Sequence, residues 1–277
     1  MNSGAVPTSW HEYRSGWKRV DAEVVAEALV TINVNGAELV TIMCTPREQD
    51  WLALGFLRNE GMIESIDEVK NVHISRSGCC VDVWLNHAIV KPERVIKTSG
   101  CGGGVTFDDP SIGIEPLRDN LRVTPEIIYT GFNRLQSPDS LYARSRGVHA
   151  AGLVDAENER LLATAEDVGR HNAVDKIVGA CLMKGIETRG RILLVTGRVS
   201  SEMLRKGALM GCPVIASRTS PTSLSVEMAR AWNVTLIGYV RQGSMRVYTH
   251  PERLGYVEPV TATQREKLIL SKAHQNV

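Results

Sequence analysis

The chain has 277 residues, 43% of them hydrophobic and 23% charged, which is enough apolar material for a packed core and excludes a globally disordered chain. It contains no apolar run long enough for a transmembrane helix, and its opening stretch, MNSGAVPTSWHEYRSGW, lacks the apolar core of a secretory signal. A net charge of +1 argues against a surface that coats nucleic acid, while 23 arginines against nine lysines reflect either codon usage or a use for bidentate binding of phosphate or carboxylate.

Residues 1–20 read as a loose leader. Residues 24–34 and 37–44 are rich in β-branched residues and joined by Asn35-Gly36, which predicts a hairpin. Thr45, Pro46 and Glu48 have the spacing of a capping box around a first-turn proline. They predict a helix to about Glu60 that ends at Gly61. Strands near 69–75 and 81–85 follow, turning at Ser77-Gly78-Cys79. Residues 98–104 read TSGCGGG, and 108–125 carry three prolines, so a Gly-rich loop and a linker are predicted. Thr124-Pro125 opens a helix to about Leu135.

The second half changes rhythm. Strands at 148–154 and 160–164 precede a helix at about 169–184. Then come strand RILLVTG, a helix from Ser200, strand PVIAS, a helix from Ser220-Pro221 and strand VTLIGYV. Alternating strands and helices of this length mean parallel βαβ units. The fold class is therefore α/β with an α+β N-terminal part. The expected division is an N-terminal domain over 20–110, a C-terminal three-layer sandwich over 120–255, and flexible extensions at 1–19 and 258–277.

The six cysteines are Cys44, Cys79, Cys80, Cys101, Cys181 and Cys212. None is spaced as a zinc knuckle. Cys44, Cys181 and Cys212 fall in apolar segments and are expected to be buried, and Cys79 and Cys80 to be structural at a hairpin turn. Cys101 differs, because the glycines around it bring no side chains to bury it. They let backbone N–H groups turn towards the sulfur, and Lys97 adds positive charge, which is the setting of a reactive thiolate. GCGGG matches neither the P-loop nor the dinucleotide fingerprint.

Two more groups carry potential chemistry. Arg198, Arg218 and Arg241 each follow a parallel strand, at the sheet edge where α/β folds bind ligands, and Ser200 and Ser220 would begin helices whose N–H groups favour anions. In Glu166–Lys176, Asp167 could cap a helix that starts with Arg170 and His171. His171 and Asp175 share a face, so either acid–base work or a hydrogen-bonded structural histidine would fit.

The stretches LALGFLRNEGMI, SGCGGG, EDVGRHNAVDK, GRVSSEM and GYVRQGSMRVYTHPERL together resemble the formate dehydrogenase accessory sulfurtransferase family (FdhD/NarQ type), over about residues 24–254. The resemblance implies a C-terminal domain of the cytidine deaminase fold. It also implies a persulfide on Cys101, which receives sulfur from a cysteine desulfurase. The sulfur would pass to the molybdenum bis(molybdopterin guanine dinucleotide) cofactor of formate dehydrogenase, bound as substrate by Tyr239, Val240, Arg241, Gln242, Gly243 and Ser244. A cytoplasmic homodimer, free of membrane and nucleic acid, is the implied setting. Some members carry C-G-x-C; Gly104 stands at the second position here, so Cys101 is expected to work alone. Zinc deaminase chemistry is not expected, since His149 is followed by Ala150 and Ala151 rather than x-E, and P-C-x-x-C is missing. No zinc is expected. The alternative function is a non-catalytic chaperone that only holds and delivers the cofactor.

Overall fold

The computed structural model describes residues 4–92, 96–97, 105–107 and 113–258. Strands β1 (Ala5–Tyr13) and β2 (Trp17–Val25) form a two-stranded antiparallel ribbon. The expected loose leader is thus a hairpin. Its turn is Arg14-Ser15-Gly16, and Tyr13 and Trp17 meet across it at 5.3 Å between ring centres. Serine–glycine between two aromatics was the available signal; the pattern hid because most of the ribbon's side chains stay in solvent.

Strands β3 (Ala28–Val34) and β4 (Ala37–Cys44), helix α1 (Gln49–Asn59), and strands β5 (Val69–Ile74) and β6 (Cys80–Leu85) follow. They form a four-stranded sheet of order β4-β3-β6-β5, in which β3 and β6 are parallel. Val30, Ile32 and Val34 alternate inward from β3 and pack with Leu52, Phe56 and Leu57 of α1. Short strands β7 (Ile96–Lys97) and β8 (Val105–Thr106) pair antiparallel. Helix α1 starts three residues later than the capping pattern predicts. Thr45 does not cap it, and Glu48 at the N-cap takes a left-handed conformation. The Thr45 hydroxyl accepts from Val168 N–H instead.

Then come α2 (Pro125–Leu135), α3 (Leu141–Ser145), β9 (His149–Asp155), β10 (Arg160–Asp167), α4 (Arg170–Lys184), β11 (Ile192–Val195), α5 (Ser201–Leu209), β12 (Val214–Ser217), α6 (Ser223–Ala231), β13 (Thr235–Arg241) and β14 (Ser244–Val247). The six strands order as β10-β9-β11-β12-β13-β14, with β11, β12 and β13 parallel. ILLV and VIAS are buried at every position, as strands covered on both faces must be. One face packs on α4, α5 and α6, the other on α2. Ser200 caps α5 through Met203 N–H. The expected helix start at Ser220 moves to Ser223, capped by Thr222, because Ser220 instead gives its carbonyl to Val199 N–H. The described part of the linker lies against this unit: Leu117 N–H donates to Trp232 O, and Val123 N–H to Arg253 O. Among the described residues no helix is long and apolar enough to cross a membrane.

Helices α1 and α4 join the two sheets. A Cβ added at Gly55 would overlap the Asp175 carbonyl, and one at Gly179 would overlap the Trp51 carbonyl. The two helices therefore touch backbone to backbone, glycine against helix in both directions. This close approach explains why α1 and most of α4 are buried almost all round.

Candidate functional site

Strands β11, β12 and β13 end at one edge of the six-stranded sheet, and β9, antiparallel to β11, begins there. A cleft of about 380 Å³ opens at this edge, lined by Gln136, Tyr142, Val148, His149, Thr196, Arg218 and Arg241. None of these seven carries a carboxylate. The Arg218 guanidinium lies 4.8 Å over the Phe132 ring and donates to Gln136 Oε1 at 3.0 Å and to Val240 O at 3.3 Å. Arg241 Nη1 donates to Arg218 O at 2.6 Å and Val240 O at 2.9 Å. Burial and the neighbouring Arg241 push the Arg218 pKa below the ordinary arginine value, yet a guanidinium stays protonated. Two cations are thus pinned together on neutral partners, with no carboxylate among the residues that line the cleft. Arg198 does not join them. It is exposed, and β11 delivers Thr196 to the cleft instead.

The predicted ligand segment divides along its length. Tyr239 has φ +52° where the pairing of β13 with β14 slips between Gly238 and Arg241. Backbone strain of this kind concentrates at working sites. Tyr239 N–H donates to Thr219 O, and Arg246 stacks on its ring at 4.1 Å. Val240 is buried, while Gln242, Gly243 and Ser244 form the exposed turn. Only Arg241 of the six lines the cleft.

Most of the segment Glu166–Lys176 is buried. Lys176 and Asp167 lie 2.7 Å apart, both fully buried. Asp167 is not the cap of α4, whose N-cap is Gly169. It instead accepts from Thr45 N–H, Gly169 N–H and Asn172 Nδ2. Asp175 accepts from Lys206 at 2.7 Å and from Asn59 Nδ2 at 2.6 Å. Burial alone would pull the Lys206 pKa down, but Asp175, Glu202 and Glu60 outweigh it and hold it above the ordinary lysine value. His171 Nε2 lies 3.1 Å from Glu202 Oε2. Burial, with Lys206 and Arg170 nearby, holds its pKa down to about 2, so it is neutral. His171 and Asp175 therefore serve the junction between the sheets rather than an acid–base pair.

The model of the FdhD/NarQ family matches residues 25–255. The chain belongs to the FdhD/NarQ family. It is 36% identical over 257 residues to the sulfur carrier protein FdhD of Bacillus subtilis (strain 168), covering 90% of this chain and 97% of that one. It is 38% identical over 253 residues to the protein of the same name from Bacillus pumilus (strain SAFR-032), covering 88% and 95%. A crystal structure of a candidate formate dehydrogenase accessory protein from Desulfotalea psychrophila superposes with a TM-score of 0.77 at 28% identity, covering 91% of this chain and 99% of that one.

Cys101 lies outside the described residues of this FdhD/NarQ chain. The pairing of Lys97 with Val105 brackets its stretch. Among the described cysteines, burial pushes the Cys44 thiol up to about 12 and the Cys181 thiol up to about 11, and raises Cys212 as well. None of these three is a nucleophile at neutral pH. Cys79 is exposed, and the Ser77 hydroxyl, Cys80 and Ser75 lower its pKa. The reading of Cys79 as merely structural missed an accessible thiol; its place at the tip of a Ser-Gly turn was the signal. Among the described residues no cluster of His, Cys, Asp or Glu could hold a metal ion.

Proposed function

We propose that this chain is a sulfur carrier that serves a formate dehydrogenase, with Cys101 as the carrying thiol and the molybdenum bis(molybdopterin guanine dinucleotide) cofactor as its substrate. The observation that carries the ligand part is the acid-free cleft, where Arg218 and Arg241 stand without a carboxylate at the ligand-binding edge of a parallel sheet. The dinucleotide's pyrophosphate is the matching anion, and the Tyr239–Ser244 turn would meet its nucleoside end. Membership of the family and the names of its curated relatives support the sulfur part.

The chemistry needs no oxidant. The Cys101 thiolate attacks the outer sulfur of a cysteine desulfurase persulfide. The donor's S–S bond breaks, a new S–S bond forms on Cys101, and the donor leaves as a thiolate. The outer sulfur then passes to the bound cofactor as neutral sulfur: the S–S bond on Cys101 breaks, Cys101 keeps the bonding pair and returns to the thiolate, and the cofactor supplies the electron pair of the new bond to sulfur and is itself oxidised by two electrons. The cofactor is larger than one cleft of about 380 Å³, so two copies of the chain would provide a groove of the right length. A reducing compartment such as the cytoplasm keeps the thiol free.

Peptide-resolved mass spectrometry after incubation with a desulfurase and cysteine tests this reading. A gain of roughly 32 Da, reversible by reductant, should map to the Cys101 peptide. Sulfur on Cys79 with none on Cys101 would overturn the assignment. Full formate dehydrogenase activation by Cys101→Ala would instead identify a cofactor chaperone.

A further inference from the structure

Glu60 is a carboxylate at the C-terminal end of α1, where the helix dipole disfavours negative charge. It is also 9% exposed, so it gives up most of its hydration. Such a residue needs partners to be tolerated there. Its Oε2 accepts from Phe107 N–H at 2.7 Å and from Thr106 Oγ1 at 3.1 Å. The Phe107 ring then meets Phe56 edge-on, one turn back on the same helix, at 5.9 Å between centres. Lys206 of α5 supplies the counter-charge and Asp175 of α4 opposes it. Burial, the largest influence, leaves the Glu60 carboxyl above the usual carboxylate range.

Thr106 and Phe107 follow Val105, the first described residue after the Gly-rich stretch. Thr106 also pairs with Ile96 on its other side. Glu60 thus fastens the point at which that stretch rejoins the fold, and Cys101 stands five residues away. Extended chain covers at most about 18 Å over five residues, so where Thr106 is held limits where the thiol can go. The sulfur-carrier reading does not use this carboxylate, nor does the cleft.

We propose that Glu60 is a positioning residue for sulfur delivery: by holding Thr106 and Phe107 at the C-terminal end of α1, it fixes the tether from which Cys101 works. The proposal rests on the sulfur-carrier reading. It separates two steps that a general loss of structure would affect together. Loading Cys101 from a freely diffusing desulfurase depends on thiol chemistry, whereas delivery to a bound cofactor depends on placement.

The test compares wild type with Glu60→Ala, Glu60→Gln and Thr106→Val in the full chain. Amide hydrogen exchange follows Phe107. Cyanide-releasable sulfur after treatment with desulfurase and cysteine measures loading. Formate dehydrogenase activity in cells lacking their own carrier measures delivery. In Glu60→Ala, Phe107 exchange should rise about tenfold or more, as loss of a hydrogen bond to a charged acceptor predicts. Delivery should fall by about tenfold while loading stays within about twofold, since misplacement taxes the oriented step. Glu60→Gln keeps one acceptor oxygen and should recover part of the delivery. If Glu60→Ala does not fold, Glu60→Gln and Thr106→Val must still show the same split in milder form. Unchanged delivery in a folded variant whose Phe107 exchange has risen overturns the proposal, as does loading that falls in parallel with delivery. Wild-type protein that takes up no sulfur overturns the carrier reading itself, and that arm separates the two failures.

Discussion

At the α1–α4 junction, Lys176 and Lys206 each sit 2.7 Å from a carboxylate, and every one of the four groups is buried. At the sheet edge, Arg218 and Arg241 are held by an amide oxygen, an aromatic face and backbone carbonyls, with no carboxylate lining the cleft. Both regions spend cations, but for different ends. A charge kept for the fold carries its counter-charge with it, because an unpaired buried ion is too costly to retain. On the proposed reading, the cleft cations leave that place open for a ligand and stay near solvent, where waiting costs little. The backbone differs in the same way. The junction is helix against helix in van der Waals contact, whereas the cleft rim carries a bulge with Tyr239 at positive φ.

Breaking the junction should therefore cost stability, and breaking the cleft should cost binding. The largest effect is expected at the helix crossing. Gly179→Leu would force α1 and α4 apart through the Trp51 backbone, which has no side-chain rotamer to yield. Loss of soluble, cooperatively unfolding protein is expected; a denaturation midpoint near that of wild type would show that the crossing is soft. Next, Lys176→Ala leaves the Asp167 carboxylate buried without its ion partner. It should lower unfolding free energy by about 3–5 kcal/mol in urea titration. A cost below about 1 kcal/mol would mean that the three hydrogen-bond donors to Asp167 suffice alone.

At the cleft, Arg241→Ala should weaken GDP binding by calorimetry by about 1.5–3 kcal/mol, or roughly ten- to hundredfold. Arg241→Lys should restore only part, since it keeps charge and loses the fork. Arg241 is exposed, so its removal should change stability by no more than about 1 kcal/mol. Arg198→Ala is the internal control, because Arg198 lies off the cleft, and its affinity should match wild type. Equal losses from the two substitutions would mean that the anion site follows general surface charge.

How much of this was legible in the sequence varied with the physics behind each signal. The buried strands showed as apolar runs, and Ser200 and Thr124-Pro125 announced their helices, because those signals are local. The family resemblance picked out the stretches that form the junction, but nothing in their spacing said that they pack together. Glu166–Lys176 reads as a polar helix start; its burial depends on α1, more than a hundred residues earlier. Thr45 carries a capping pattern that the junction overrides by taking its hydroxyl and both its backbone polar groups. Arg198 was misplaced by a simple count from the strand end, because β11 stops at Val195 and the chain turns before reaching it.

The smallest predicted effect tests whether the junction tolerates a new charge. His171 is an ionisable side chain kept neutral there, between Glu202 on one side and the positive field of Lys206 and Arg170 on the other. Unfolded histidine takes up a proton near pH 6.5, whereas the folded residue resists protonation down to about 2. Between those values the unfolded state holds the extra proton, so stability rises with pH and is lost as pH falls below about 6.5. Each pH unit well inside that window costs about 1.4 kcal/mol for one such group. His149, whose pKa burial also lowers, acts in the same direction, and Glu48 and Glu60, whose carboxyls burial raises, act in the opposite one. The His171 share is therefore read as a difference. Wild type should lose about 1.4 kcal/mol more than His171→Gln between pH 7.5 and pH 5.5 in urea-induced unfolding. Parallel slopes would mean that His171 can charge inside the fold, with Glu202 as its counter-ion, and that the junction is as open to a new charge as the cleft.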